Sequence, residues 1–161
     1  MAAIEGGGIV LLRGQGRQID EGSFVVGVLA DGELTDGAFS LIETTETEVG
    51  TGPPLHIHRD CAESFVVLAG RYRMHLGGHD LDCPSGSFVY VPKGLVHTFV
   101  SVEPGSRKLN LYTPAGMVGY FDELADAIRK GVSAEDLGAL AERYAMEVVG
   151  PVPEGYLSSR P

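Results

Sequence analysis

The chain has 161 residues, of which 43% are hydrophobic and 21% are charged, and its formal net charge is -10. A chain of this length predicts one domain, with enough buried surface to fold without disulfides or a structural metal. The acidic balance, without a cluster of lysine or arginine, argues against partners such as nucleic acid or a membrane surface.

The N-terminal stretch MAAIEGGGIVLLRGQG lacks the basic region and the apolar run that make up a signal peptide. Apolar stretches elsewhere are far shorter than the roughly 20 residues that a membrane-spanning helix needs. We therefore expect a soluble, cytoplasmic protein.

Up to about residue 113, short apolar runs alternate with Gly, Pro and Asp, and none of them shows helical periodicity. Regularly spaced runs with turn signals between them predict an all-β fold, either a sandwich or a barrel. The predicted strands cover residues 9–12, 24–30, 38–44, 64–69, 72–76, 87–92, 97–102 and 108–113.

A β-hairpin is predicted within RMHLGGHDL, with a two-residue turn at residues 77–78. This turn would pair Leu76 with His79 and His75 with Asp80. The hairpin accounts for both of these histidines, so we do not assign them to a functional site.

Beyond residue 116 the pattern changes to helical spacing over residues 120–131 and 133–150. Ser133 and Asp136 predict a capping box at the start of the second helix, and Gly131 predicts the end of the first. The apolar faces of the helices need a surface to cover, so we expect both to pack on the outside of the β-domain.

Two histidines stand one residue apart in LHIH, and residues i and i+2 of a strand point to the same face. His56 and His58 can therefore bind one ion together, and a metal is the simplest partner for buried imidazoles. Glu63 has the opposite parity from His58, so the intervening residues must bulge or loop before it can join them.

A third imidazole comes from GSFVYVPKGLVHTFVS, where Gly86 opens a strand and His97 begins the next one. Pro92 is unsuited to a central strand and Gly94 permits unusual dihedral angles, so PKG predicts a corner that fixes the position of His97. Three histidines and one carboxylate would then meet inside a barrel.

These two stretches resemble the two signature motifs of the cupin superfamily. In the first motif, Gly, five residues, His-x-His, three or four residues, Glu, six residues and Gly follow one another. The chain matches it at Gly50, His56, His58, Glu63 and Gly70. Asp60 and Cys61 also lie near the carboxylate position, but only Glu63 keeps the six-residue interval to the final glycine.

The second motif is Gly, five residues, Pro-x-Gly, two residues, His, three residues and Asn. The chain matches it at Gly86, Pro92, Gly94 and His97, and departs from it only at Ser101. Because that Asn is not a metal ligand in the superfamily, the departure leaves the expected metal site intact.

The resemblance implies a single cupin domain over residues 1–161, with a β-barrel (double-stranded β-helix or jelly roll) over about 8–113. A helical segment over about 119–148 would follow. It also implies one divalent transition metal, of which Fe, Mn, Ni, Co, Cu and Zn all suit imidazole and carboxylate ligands. The implied ligands are His56, His58, Glu63 and His97. Four protein ligands would leave positions open for water, substrate or dioxygen, as in working metal sites.

Aromatic side chains on the predicted strands supply candidate walls for a substrate pocket. Phe65 shares its parity with Glu63, and Phe99 shares its parity with His97, so these two are the candidates nearest the metal. Ordinary core packing is the alternative for each of them.

Three further stretches, at residues 36–44, 109–121 and 148–153, resemble the small quercetin 2,3-dioxygenase-like branch of the superfamily. That resemblance implies an oxygenase acting on a flavonol or another enolisable phenolic substrate. Glu63 would then be both a metal ligand and the catalytic general base that takes the substrate's hydroxyl proton.

Two alternatives share this ligand set: a metal-dependent aromatic polyketide cyclase and a non-catalytic module that holds a small ligand over the metal. Sugar or sugar-nucleotide isomerisation ranks last, because the basic residues near the motifs do not cluster as phosphate binding would need. By analogy with other cupins we expect a small-molecule substrate and a homodimer.

Overall fold

The computed structural model describes residues 2–3 and 7–153. The described part of the chain forms thirteen strands and two helices. The strands are β1 (Ala2–Ala3), β2 (Ile9–Val10), β3 (Arg17–Asp20), β4 (Phe24–Ala30), β5 (Ser40–Glu46), β6 (Leu55–His58), β7 (Ala62–Ala69), β8 (Arg71–Leu76), β9 (His79–Pro84), β10 (Phe88–Val91), β11 (His97–Ser101), β12 (Ser106–Thr113) and β13 (Met146–Gly150). The helices are α1 (Val118–Lys130) and α2 (Ala134–Arg143).

Two antiparallel sheets form the body of the molecule. The first has six strands in the order β10-β7-β12-β5-β4-β3, and the second has five in the order β13-β6-β11-β8-β9. Strands β1 and β2 pair separately. The all-β fold expected from the sequence is confirmed, and the strands that bear the two motifs fall in both sheets.

Strand β12 illustrates how the interior is built, because its buried and partly exposed residues alternate strictly. Its neighbour β5 alternates in the same way. On β12 the buried face carries Lys108, Asn110 and Tyr112, whereas Leu109 and Leu111 lie on the other face. The interior of the barrel is therefore partly polar, which is unusual unless the polar groups have partners.

Several local predictions are confirmed. In the hairpin, Leu76 pairs with His79 and His75 pairs with Asp80. Helix α2 begins with the predicted capping box, and the end of α1 at Gly131 has a left-handed backbone. Cys61 and Cys83 are both buried and free in the described part of the chain.

The predicted helix over residues 133–150 is wrong beyond Arg143. Ala145 has a positive φ of 53°, which ends the helix, and the chain continues as strand β13. This strand pairs antiparallel with β6, so that Met146 faces His58 and Val148 faces His56. The adjacent β-branched residues Val148 and Val149 favour a strand over a helix.

The helices also do more than cover the outside of the barrel. Val118, Phe121 and Ala125 form the buried face of α1, at the spacing of an amphipathic helix. They join the same apolar cluster as Ile42 of β5 and Tyr112 of β12. Within the described residues, neither helix is long and apolar enough to cross a membrane.

Candidate metal centre

Three of the four predicted ligands come from two neighbouring strands of the five-stranded sheet. Strand β6 lies between β13 and β11, and its buried positions are those of His56 and His58. His97 begins β11 directly opposite His56. All three imidazoles are at most 4% exposed, so the antiparallel register brings them together in the interior.

The fourth ligand, Glu63, comes from the facing six-stranded sheet. Residues 59–61 carry the chain from β6 to β7, which resets the strand parity as the sequence required. Glu63 Oε2 lies 3.2 Å from His58 Nε2 and 3.1 Å from His97 Nε2. Within the described residues, one ligand atom from each of these residues and from His56 lies within 4.8 Å of the others.

Backbone carbonyls orient two of the rings. His56 Nδ1 lies 2.9 Å from the carbonyl oxygen of Pro54, and His97 Nδ1 lies 2.9 Å from that of Leu95. A carbonyl only accepts, so each Nδ1 donates, and Nε2 is the ring nitrogen left to ligate a metal once it carries no proton.

The PKG corner fixes the end of β6. Gly94 has a φ of 76°, in the left-handed region that glycine adopts without strain. Its N–H donates a hydrogen bond to the carbonyl oxygen of His58, 2.8 Å away. The second motif therefore supports the first through the backbone and also supplies His97.

Electrostatics favour the metal-binding protonation states of His56 and Glu63. Burial, with the neighbouring imidazoles of His97 and His58, lowers the pKa of His56 to about 3. Burial acts to raise the pKa of Glu63, but hydrogen bonds from His58 and His97 outweigh it and hold that pKa well below its ordinary value. Neutral imidazole and ionised carboxylate are the forms that bind transition metals, so these residues fit a divalent ion.

The second oxygen of Glu63 is held by residues that the sequence analysis did not single out. Asn110 Nδ2 donates to Glu63 Oε1 at 2.9 Å. Tyr112 is the cross-strand partner of Glu63, and burial and the Glu63 charge raise its pKa well above the ordinary value. Tyr112 thus stays a protonated phenol beside the carboxylate. The sequence feature that could have pointed to Asn110 and Tyr112 is the alternation of residue types over residues 106–113.

A cavity of about 690 Å³ adjoins the cluster and is lined mainly by apolar groups. His56, His58 and Glu63 form part of its wall, and Phe99 forms another part. Phe65 is 1% exposed and packs edge-to-face on Phe99, with the ring centroids 5.7 Å apart. The helical segment contributes Met117, Tyr120, Phe121, Leu124, Leu137 and Ala141 to the wall.

Ser101, at the position where the second motif departs from the superfamily, lies away from the ligand atoms. It is fully buried, and its Oγ donates to the carbonyl oxygen of Glu48 at 2.8 Å. Its backbone also pairs with Gly50 and Thr51. Ser101 therefore anchors the loop that leads into β6.

The family model for the cupin domain matches residues 44–109, which span both motifs and all four clustered ligands. The match identifies a cupin domain over this segment, which is less than half of the chain. One curated cupin relative, quercetin 2,3-dioxygenase from Bacillus subtilis strain 168, is 29% identical over 111 residues. That match covers 69% of this chain and 32% of the relative, so the chain spans about a third of the relative's length.

Solved structures share the cupin fold at low identity. KdgF from a Halomonas species is 18% identical, with a TM-score of 0.60 over 66% of this chain and 94% of that one. An RmlC-like cupin from Shewanella frigidimarina is also 18% identical, with a TM-score of 0.57 over 65% and 89%. The Streptomyces nucleoside dehydratase Pac13 is 9% identical, with a TM-score of 0.55 over 86% and 88%. At such identities the likeness is one of fold.

Proposed function

We propose that this cupin is a metal-dependent oxygenase, similar to quercetin 2,3-dioxygenase, that acts on a flavonol or another enolisable phenolic substrate. The observation that carries the proposal is a buried cluster of three histidines and one glutamate on the wall of a largely apolar cavity. Its similarity to the Bacillus subtilis dioxygenase supports this choice of reaction.

A bound divalent ion would supply Lewis acidity toward a substrate hydroxyl and a site for dioxygen. The ligands would be His56, His58, His97 and Glu63. Glu63 is also the candidate general base, since its ionised carboxylate can accept the proton of a hydroxyl within hydrogen-bond reach. Asn110 fixes Oε1 of this carboxylate, so the oxygen nearest the imidazoles is Oε2.

The cavity supports a planar aromatic substrate. A volume of about 690 Å³ lies within the range of small-molecule sites, and its walls combine apolar side chains with a few polar groups. The helices contribute apolar side chains to this wall, which suits an aromatic substrate.

The first experiment is elemental analysis of protein purified without chelator, together with oxygen-electrode traces on quercetin and related phenols. A redox-active metal with substrate-dependent oxygen uptake is the expected result. The same product under anaerobic and aerobic conditions would overturn the proposal and favour the polyketide cyclase. Ligand binding without turnover would favour the non-catalytic module.

We also propose that the protein is a homodimer. Strand β10 lies at an edge of the six-stranded sheet, where Phe88 and Tyr90 are 67% and 56% exposed. An unpaired edge strand that carries exposed aromatic rings favours association with a second chain. Light scattering should give the mass of two chains, and the mass of one chain would contradict the proposal.

A further inference from the structure

Lys108 is a fully buried lysine on β12, two residues before Asn110. Its Nζ donates to Thr44 Oγ1 at 2.6 Å and to Glu46 Oε1 at 2.5 Å. A lysine ammonium has three N–H donors, so two of them are satisfied by these oxygens. Burial of the Lys108–Glu46 ion pair costs free energy, and both residues lie in the wall of the cavity.

Aromatic rings enclose the rest of the ammonium. Lys108 Nζ lies over the ring of Phe99, 3.9 Å from its centroid, and 4.8 Å from the centroid of Tyr72. The Tyr72 hydroxyl donates to Glu46 Oε2, so the carboxylate is also satisfied. At these distances the ammonium interacts strongly with the π face of Phe99.

Both Phe99 and Lys108 adjoin the cavity, but Phe99 keeps accessible surface whereas Lys108 has none. Edge-to-face contacts with Phe65 at 5.7 Å and with Tyr72 at 5.9 Å fix the tilt of the Phe99 ring. Protonated Lys108 attracts the π electrons of Phe99 toward itself, so the face of the ring opposite Lys108 is less negative than an ordinary phenyl face.

We propose that Phe99, backed by the Lys108 ammonium, is the stacking wall that selects an electron-rich aromatic ring, a phenol or phenolate, for the metal centre. This inference rests on the proposed function, because it specifies which ring the cavity takes. Phe99 follows His97 by two residues on β11, a separation of roughly 7 Å. One bicyclic or biaryl molecule can therefore stack on Phe99 and reach the ligand cluster.

The test measures anaerobic binding to the full-length, metal-containing protein by the fluorescence of three 3-hydroxyflavones. These probes carry methoxy, hydrogen or nitro at the 4′ position and so differ in electron density but little in shape. In the wild type the methoxy probe should bind about fivefold more tightly than the nitro probe. Anaerobic conditions keep oxygen chemistry out of the measurement.

The decisive variant is Lys108→Met combined with Glu46→Gln, which removes both buried charges together and avoids leaving one unpaired. It should bring the three affinities within a factor of about two. Phe99→Leu, which removes the ring, provides a second test if the double variant does not fold, and it should weaken the methoxy probe most. Lys130→Met, on the exposed end of α1, is the matched control and should keep the wild-type preference.

Equal affinities in the wild type, an unchanged preference in both variants, or no binding of any probe would overturn the inference. Oxygen uptake by the same protein decides the proposed function separately. A methoxy preference that is lost in the variants, but without oxygen uptake, would keep the stacking wall and overturn the dioxygenase. Oxygen uptake without any preference among the three probes would keep the dioxygenase and overturn the stacking wall.

Discussion

His56 and His97 lie directly opposite each other on neighbouring antiparallel strands, and their ring centroids are 4.2 Å apart. They are 41 residues apart in the sequence, so only the strand register brings them together. Two buried imidazoles at this distance gain little from each other. A shared metal ion would give both of them a partner and would explain why the interior tolerates them.

Removal of a single imidazole should empty the metal site. We expect His58→Ala and His97→Ala each to lose nearly all bound metal, because three remaining ligands hold a transition metal much more weakly and a cavity replaces the ring. Elemental analysis measures this directly. His75→Ala is the control, because His75 bonds Asp80 at 2.8 Å in the hairpin, and it should keep full metal content. Full occupancy in the His58→Ala protein would refute the ligand assignment.

Glu63→Gln tests the base. The amide keeps the shape of the side chain but cannot take a proton, so oxygen uptake with quercetin should fall by roughly 10²- to 10⁴-fold. Metal content, measured on the same sample, separates the loss of the base from the loss of the ion. Glu33→Gln, at an exposed position, is the matched control. Wild-type turnover in the metal-loaded Glu63→Gln protein would exclude a role as base.

The buried carboxyl group of Glu21 should make the free energy of unfolding depend on pH, and this effect does not involve the metal site. Its side chain is 4% exposed and its two carboxylate oxygens have no hydrogen-bond partner among the described residues. Burial raises its pKa from 4.5 to about 7, with the charges of Arg129, Asp20 and Asp122 as smaller influences. Folding therefore favours the protonated acid, and the free energy of unfolding falls as the pH rises from about 4.5 through 7.

Glu21→Gln removes this charge, so the variant should be more stable than the wild type at pH 8 by roughly 1–3 kcal/mol. At pH 4 both carry a neutral side chain, and their stabilities should converge. Urea unfolding at the two pH values measures the difference, with Glu33→Gln as the exposed control. An equal effect of Glu21→Gln at both pH values would show that Glu21 ionises freely in the folded protein.

Replacement of Gly52 and of Gly138 by alanine should change the stability of the protein in opposite directions. A Cβ on Gly52 would lie 1.9 Å from the backbone oxygen of Phe99, whereas a Cβ on Gly138 in α2 meets nothing within 4 Å. Gly52→Ala should destabilise the fold by roughly 1–3 kcal/mol or more, because the backbone oxygen of Phe99 cannot move away without distorting β11. Gly138→Ala should stabilise α2 by up to about 1 kcal/mol. Urea unfolding at neutral pH compares them, and an unchanged Gly52→Ala protein would contradict the close approach.

The clustering of His56, His58, Glu63 and His97 could be predicted from the sequence because each motif is local and strand parity is regular. The polar side chains that surround Glu63 could not be predicted in this way. In residues 106–113 the alternation is visible, but hydrophobicity alone would turn Leu109 and Leu111 inward, whereas the structure buries Lys108 and Asn110 instead. Those polar groups are buried because Glu46 and Glu63, on other strands, provide their partners.

Strand β13 was missed for a different reason. Residues 133–143 are a strong helical pattern, and the pattern continues in composition past Tyr144 without a proline or glycine to end it. The strand forms because β6 offers an open edge and the β-branched pair Val148 and Val149 suits it. Because the partner strand lies about ninety residues earlier in the chain, the residues around β13 alone do not reveal the pairing.

The pairing of β13 with β6 also bears on how the protein is made. A ribosome that has delivered the chain through β12 has already supplied every clustered ligand, yet β6 still has one unpaired edge at that stage. The partner of that edge is among the last described residues to be synthesised. The histidine strand, and with it the candidate metal site, is therefore complete only after β13 has been synthesised and has paired with β6.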